Sequence, residues 1–182
     1  MSKSSQLSEA KIRPFTDSDW VALWSIIRPV FREGTTYAFD PDISEKDTYG
    51  VWIDAPAATF VVEDEKLGII GTYYIKQNQP SLGDHVCNCG YIVSENARGK
   101  GLAARMCKHS QAEAIKRGFR AMQYNLVVST NVGAIQIWKK HGFEIVGSLT
   151  GAFRHADLGY VDAYVMFKEL KSSPSEPDKS SE

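Results

Sequence analysis

The chain has 182 residues, 43% of them hydrophobic, which suits one domain with a single sizeable core. Its 21 Lys and Arg nearly balance its 22 Asp and Glu, so there is no global basic field to draw it to nucleic acid or anionic lipid, and a small, locally recognised ligand fits better. No apolar run approaches the roughly 18 residues of a membrane span or resembles a signal peptide, so a soluble, cytoplasmic protein without nucleic-acid or membrane partners is expected.

Residues 1–9 and 171–182 are rich in Ser, Pro and charge and have almost nothing to bury, so they are expected to be disordered tails around a domain at 10–170. Residues 11–15 read as a short strand. Asp17 or Ser18 can then cap a helix whose Trp20, Leu23, Trp24 and Ile27 recur at helical spacing before Pro29, with a kinked continuation to Phe31. Residues 34–41 (GTTYAFDP) have turn formers and no period, and a second helix over 44–53 opens at Ser44 with acidic Glu45 and Asp47 in its first turn. In the loop between the helices, Tyr37 and Phe39 either form an apolar substrate wall or pack over the core edge.

Two β-branched and aromatic runs, 59–63 and 67–76, predict a hairpin, and 85–94 a third strand. Residues 102–117 are helical, with Leu102, Met106, Cys107, Ser110 and Ala114 on one face and Gly118 as the stop. A strand over 121–128, a helix over 131–141 and closing strands over 143–149 and 160–167 complete the order β-α-α-β-β-β-α-β-α-β-β, without internal repeats. Arg154, His155, Tyr160 and Asp162 fall in and after the polar run 150–159, which either caps a substrate carboxylate or is a solvated hairpin.

The informative segment is 87–103, CNCGYIVSENARGKGLA, where a strand enters a Gly-rich turn and then the long helix. A helix start leaves backbone N–H groups unpaired, glycines at 99 and 101 let a pyrophosphate approach them closely, and Arg98 and Lys100 add positive charge. A tight turn with solvated basic residues produces the same short string, so context decides. The nucleotide loop GxxxxGK[ST] is absent, and GxGxxG fails because Ala104 stands in its third position.

Arg98-x-x-Gly101-x-Ala103 resembles the [Q/R]-x-x-G-x-[G/A] acetyl-CoA loop of the GNAT acetyltransferase superfamily, and Asn131-x-x-Ala134-x-x-Ile137-Trp138-x-x-x-Gly142-Phe143 resembles its second signature. GTYYIK, CNCGYIV and YNLVVSTN are similar to fungal azetidine-2-carboxylate N-acetyltransferases. The opening segment RPFTDSDWVALWSIIRPVFREGTTYAF is similar to bacterial phosphinothricin and related amino-acid acetyltransferases.

The resemblance covers about residues 10–170. It implies an α/β fold with a mixed central sheet of six to seven strands, about four flanking helices and a splayed strand pair that holds acetyl-CoA. It implies acetyl-CoA contacts at Val93, Arg98, Gly99, Lys100, Gly101, Leu102, Ala103 and Asn131. It also implies direct acetyl transfer to the amine of a small amino-acid-like acceptor, with the oxyanion held by strand backbone near residues 91–93, and a homodimer. A peptide acceptor and a non-catalytic acyl-CoA-binding module are the competing functions.

This sequence departs from the family pattern in two places. Trp138 stands where relatives carry a tyrosine acid, and an indole N–H is far too weak an acid to replace it. The strand before the loop offers His85 and Asn88 but no carboxylate until Glu95, so the base is also unassigned. Asn88 and Asn125 match asparagines of the azetidine-carboxylate enzymes and are expected to contact substrate and orient it for catalysis. His85, Cys87 and Cys89 alternate along one strand and splay over about 13 Å, too wide to close on one zinc ion. Buried thiols in a reducing compartment account for the cysteines, and no metal is expected.

Overall fold

The computed structural model describes residues 10–170, so the terminal segments expected to be disordered lie outside the described residues. Seven strands form one sheet in the order β1-β2-β3-β4-β5-β7-β6. They are β1 Lys11–Pro14, β2 Ala58–Asp64, β3 Gly68–Gln77, β4 Val86–Val93, β5 Ala121–Val128, β6 Glu144–His155 and β7 Gly159–Glu169. All neighbours are antiparallel except β4 and β5. Four α-helices flank the sheet: α1 Trp20–Glu33, α2 Glu45–Tyr49, α3 Leu102–Lys116 and α4 Val132–Lys140.

The period-2 pattern of β3, β4 and β5 feeds two cores, one on each face. Tyr73, Ile75, Cys87, Cys89, Met122 and Tyr124 pack with Met106 and Cys107 of α3 and Trp138 of α4. Tyr74 and Ile92 pack instead with Leu23, Ile27 and Phe31 of α1 and with Trp52. Cys87 and Cys89 are therefore core thiols facing α3.

Helix α1 runs past Pro29 to Glu33. Pro29 is exposed, so the Ser25 carbonyl that loses its intrahelical donor faces water, while Ile27 and Phe31 anchor both sides of the proline to the core. The helix start also differs from expectation. The cap is neither Asp17 nor Ser18; the Asp19 carboxylate turns back to accept the Thr16 backbone N–H (2.8 Å) and hydroxyl (2.9 Å). Arg13 of β1 grips that carboxylate from the other side through two bonds of 2.7 and 2.8 Å, tying strand to helix. Helix α2 is one short turn, capped by Ser44, whose Oγ accepts from the Asp47 N–H, and a π-type turn at Gly50–Asp54 continues it.

Strand β6 continues to His155, so the polar run expected as a loop is mostly ladder, and Arg154 pairs with Tyr160 across the hairpin. The Asp162 carboxylate accepts the Gly151 N–H at 2.9 Å within that irregular ladder. The hairpin tip then meets the loop after α1, where the Ala156 N–H donates to the Gly34 carbonyl at 3.1 Å. No helix among the described residues is long and apolar enough to cross a membrane.

Candidate functional site

Strands β4 and β5 pair only at Val86–Ala121 and Cys87–Met122, then diverge. The β3–β4 ladder fixes which peptide groups the divergence exposes. Asn78 N–H donates to Val86 O and Ser94 N–H to Ile70 O, so the even-numbered residues between them spend their peptide groups on β3. The N–H and C=O groups of Cys89, Tyr91 and Val93 therefore point into the gap, free of β5. One is taken: the Tyr37 hydroxyl donates to the Tyr91 carbonyl at 2.9 Å.

The gap opens into a cleft of about 830 Å³. At one end lies the loop before α3. Gly99 (φ +74°) and Gly101 (φ +78°) occupy left-handed backbone, and a Cβ on either would meet nothing within 4 Å. Both glycines are thus required by conformation and face open space, which suits an anion approaching the first turn of α3. Val93, Arg98, Gly99, Gly101, Leu102, Ala103 and Asn131 all line the cleft. Lys100 does not; it is an exposed residue on the loop. Asn131 caps α4, its Oδ1 accepting the Ala134 N–H at 3.3 Å, and its amide also borders the cleft.

Glu33, at the end of α1, also lines the cleft and approaches Arg98 at 3.7 Å. Sequence reading missed it, because nothing in a helix C-terminus announces a partner more than sixty residues away.

At the other end, on the α1 face, the structure brings Asn88, Asn125, Tyr37, Phe39 and Tyr74 together. The rings of Tyr37 and Phe39 stack at 6.1 Å and contact Phe31 at 5.3 and 4.8 Å. They are both cleft wall and core edge. Tyr74 lies against β4 because its cross-strand partner is Gly90; a Cβ there would sit 2.6 Å from the ring. Asn88 is buried and bridges the point of divergence: its Nδ2 donates to the Gln123 carbonyl on β5 at 2.9 Å, while its Oδ1 faces the Tyr74 hydroxyl at 3.4 Å. Asn125 lies where a bulge in β5 leaves residues 125–126 unpaired with β7. Its amide donates to Asn78 Oδ1 (2.6 Å) and accepts from Gln123 Nε2 (2.8 Å). Asn78 and Gln123 were not anticipated, although Gln123 and Asn125 share the i, i+2 spacing of one strand face.

Burial pushes the Tyr37, Tyr74 and Cys89 groups above their usual values, so the hydroxyls act as neutral donors and the thiol is no nucleophile. Glu33 is the carboxylate on the cleft wall, and it stands at the loop end. Trp138 is buried between Tyr91 (4.8 Å) and Tyr124 (5.2 Å). Those two hydroxyls bond each other at 2.9 Å and continue to Ser110 Oγ at 2.7 Å beneath α3. Arg154, Tyr160 and Asp162 do not line the cleft; Arg154 and Tyr160 are exposed.

The Acetyltransferase (GNAT) family model matches residues 20–143. The chain is 35% identical over 112 residues to N-acetyltransferase aca1 of Schizosaccharomyces pombe, a match covering 61% of this chain and 54% of that protein. The chain thus spans about half the length of the curated relative it matches. A GCN5-related N-acetyltransferase from Kribbella flavida superposes with a TM-score of 0.84 at 33% identity, over 88% of this chain and 98% of that one. A phosphinothricin acetyltransferase from Sinorhizobium meliloti, solved in complex with acetyl-CoA, shares the fold with a TM-score of 0.79 at 20% identity, over 92% and 94% of the two chains.

Proposed function

The chain belongs to the GNAT acetyltransferase family, and from that premise we propose that it transfers the acetyl group of acetyl-CoA to the amine of a small amino-acid-like acceptor. The observation that supports the acceptor class is the lining where β4 and β5 part, a short stretch of cleft at which Tyr37, Phe39, Tyr74, Asn88 and Asn125 converge. An aromatic concavity with a few convergent polar groups suits a small molecule.

The residues present fit acetyl-CoA. The first turn of α3, the two left-handed glycines and Arg98 suit its pyrophosphate, and the free backbone edge of Cys89, Tyr91 and Val93 suits the amides of its pantetheine arm. The phosphinothricin acetyltransferase neighbour was solved with this same co-substrate. When bound, acetyl-CoA supplies an activated thioester; the chain supplies position, exclusion of water and hydrogen bonds.

Among these, an N–H on the free β4 edge can stabilise the developing oxyanion. Asn88 and Asn125 can orient the acceptor without adding charge. The raised Cys89 thiol argues against an acyl-cysteine, so the amine attacks directly in a ternary complex. Among the described residues no carboxylate lines the acceptor end; a partly desolvated amine is instead favoured in its neutral form, and the proton it sheds on acylation balances the departing thiolate. Three buried free thiols suit a reducing cytoplasm. For the exposed Ile145, Val146 and Leu149 on edge strand β6 we propose a second copy of the chain as partner.

Thiol release from acetyl-CoA against azetidine-2-carboxylate, proline, phosphinothricin, methionine sulfoximine, common amino acids, polyamines and short peptides tests the acceptor class. Turnover restricted to the amino-acid-like compounds is the expected outcome. Turnover of peptides alone, or binding of acetyl-CoA without any turnover, sinks it.

A further inference from the structure

An amino-acid acceptor brings a carboxylate into the cleft, and the groups around Asn88 and Asn125 cannot neutralise it. They are uncharged amides already bonded to one another and to backbone, and the cleft's own Arg98 stands at the opposite end beside Glu33. A carboxylate taken partly out of water without a cation is strongly disfavoured.

Lys76 is a cation on the strand beside this cluster. It pairs across the β3–β4 ladder with Asn88, so by strand alternation its side chain leaves the same face as those of Tyr74 and Asn88. Lys76 is not itself a lining residue, but its Nζ rests 5.5 Å from the centre of the Tyr74 ring, which is part of the cleft wall. Lys76 is half-buried and has no carboxylate partner among the described residues. An ammonium held over an aromatic face is released to a stronger anionic partner.

We propose that Lys76 is a specificity-determining residue that recognises the acceptor's carboxylate at the rim of the cleft, beside the Asn88–Asn125 amide cluster. This rests on the reading of the acceptor as an amino acid. Lys76 then selects free amino acids over their neutral derivatives, with Tyr74 holding the ammonium in place before substrate arrives.

The test compares matched pairs, proline with prolinamide and methionine with methioninamide, in wild type, Lys76→Met and Lys76→Arg. Taking the ratio of kcat/KM for acid over amide in each enzyme, then comparing enzymes, cancels the different basicities of the amines. The expected result is a ratio lowered about tenfold or more in Lys76→Met, through KM for the acid, and largely recovered in Lys76→Arg. Acetyl-CoA affinity measured in parallel reports on folding. A ratio unchanged in Lys76→Met, or an equal loss on acid and amide, overturns the assignment of Lys76. Failure of the acceptor reading looks different: wild type binds acetyl-CoA and acetylates neither member of any pair, and the role of Lys76 falls with it.

Discussion

Gly101 and Glu33 act on the same anion site in opposite senses. Gly101→Asp forces a side chain into left-handed backbone and sets a carboxylate in the open space before α3. Titration calorimetry is expected to show no measurable acetyl-CoA binding, and unchanged binding would remove the loop from the site. Glu33→Gln withdraws a negative charge from beside Arg98. Its KM for acetyl-CoA is expected to fall a few-fold at low ionic strength, with the gain shrinking in high salt because both partners are half-exposed. At this scale the sequence was legible where a residue type is demanded by local geometry. The two glycines are the clear case. It was illegible where a side chain's meaning depends on a distant partner, as with Glu33, Asn78 and the aromatic seat of Lys76.

Among the elements, the divergence of β4 from β5 does most to make the site, and Asn88 marks where it begins. Asn88→Ala removes the bond to the Gln123 carbonyl and leaves that carbonyl without its partner, a loss of about 1–3 kcal/mol in stability. kcat/KM for the acceptor is expected to fall at least tenfold while acetyl-CoA affinity stays within a few-fold. Equal losses for both ligands would mean that Asn88 only fastens the sheet.

The tie between β1 and α1 is purely structural. Hydrogen bonds from Arg13 hold the Asp19 carboxyl at about 2, below its ordinary 3.8. Stability from this group is complete above 3.8 and is lost as pH falls from there towards 2. Asp19→Asn should cost about 1–2 kcal/mol at neutral pH, allowing for the partial exposure of Arg13, and its melting temperature should depend less steeply on pH across that window. The element order was readable from periodicity and turn residues, as was the run of α1 past Pro29 to Phe31. The cap formed by Asp19 and the full length of β6 were not, because partners on β1 and β7 decide them.

For the whole molecule, a single backbone bond ties a hairpin tip to the interhelical loop whose next residues, Thr35 to Phe39, line the cleft; the two segments meet because the sheet order places β7 beside β5. Replacing residues 156–158 with a two-residue turn frees that loop and is expected to admit short peptides as acceptors while lowering kcat/KM for amino acids. If peptides remain excluded, this tie does not set acceptor size. The family signatures disclose the cleft but not this tie, since contact between residues 34 and 156 is a product of topology rather than of any motif.

The divided sheet also carries a liability. Beyond Cys87, the β4 edge that faces β5 has no strand partner there, and of its outward peptide groups the Tyr91 carbonyl is met by the Tyr37 hydroxyl. A ligand that lies along that edge completes the ladder, so the folded state gains the ligand's binding free energy, about 2.7 kcal/mol when the ligand stands at a hundred times its dissociation constant. With acetyl-CoA as the proposed ligand, resistance to proteolysis is expected to rise with its concentration.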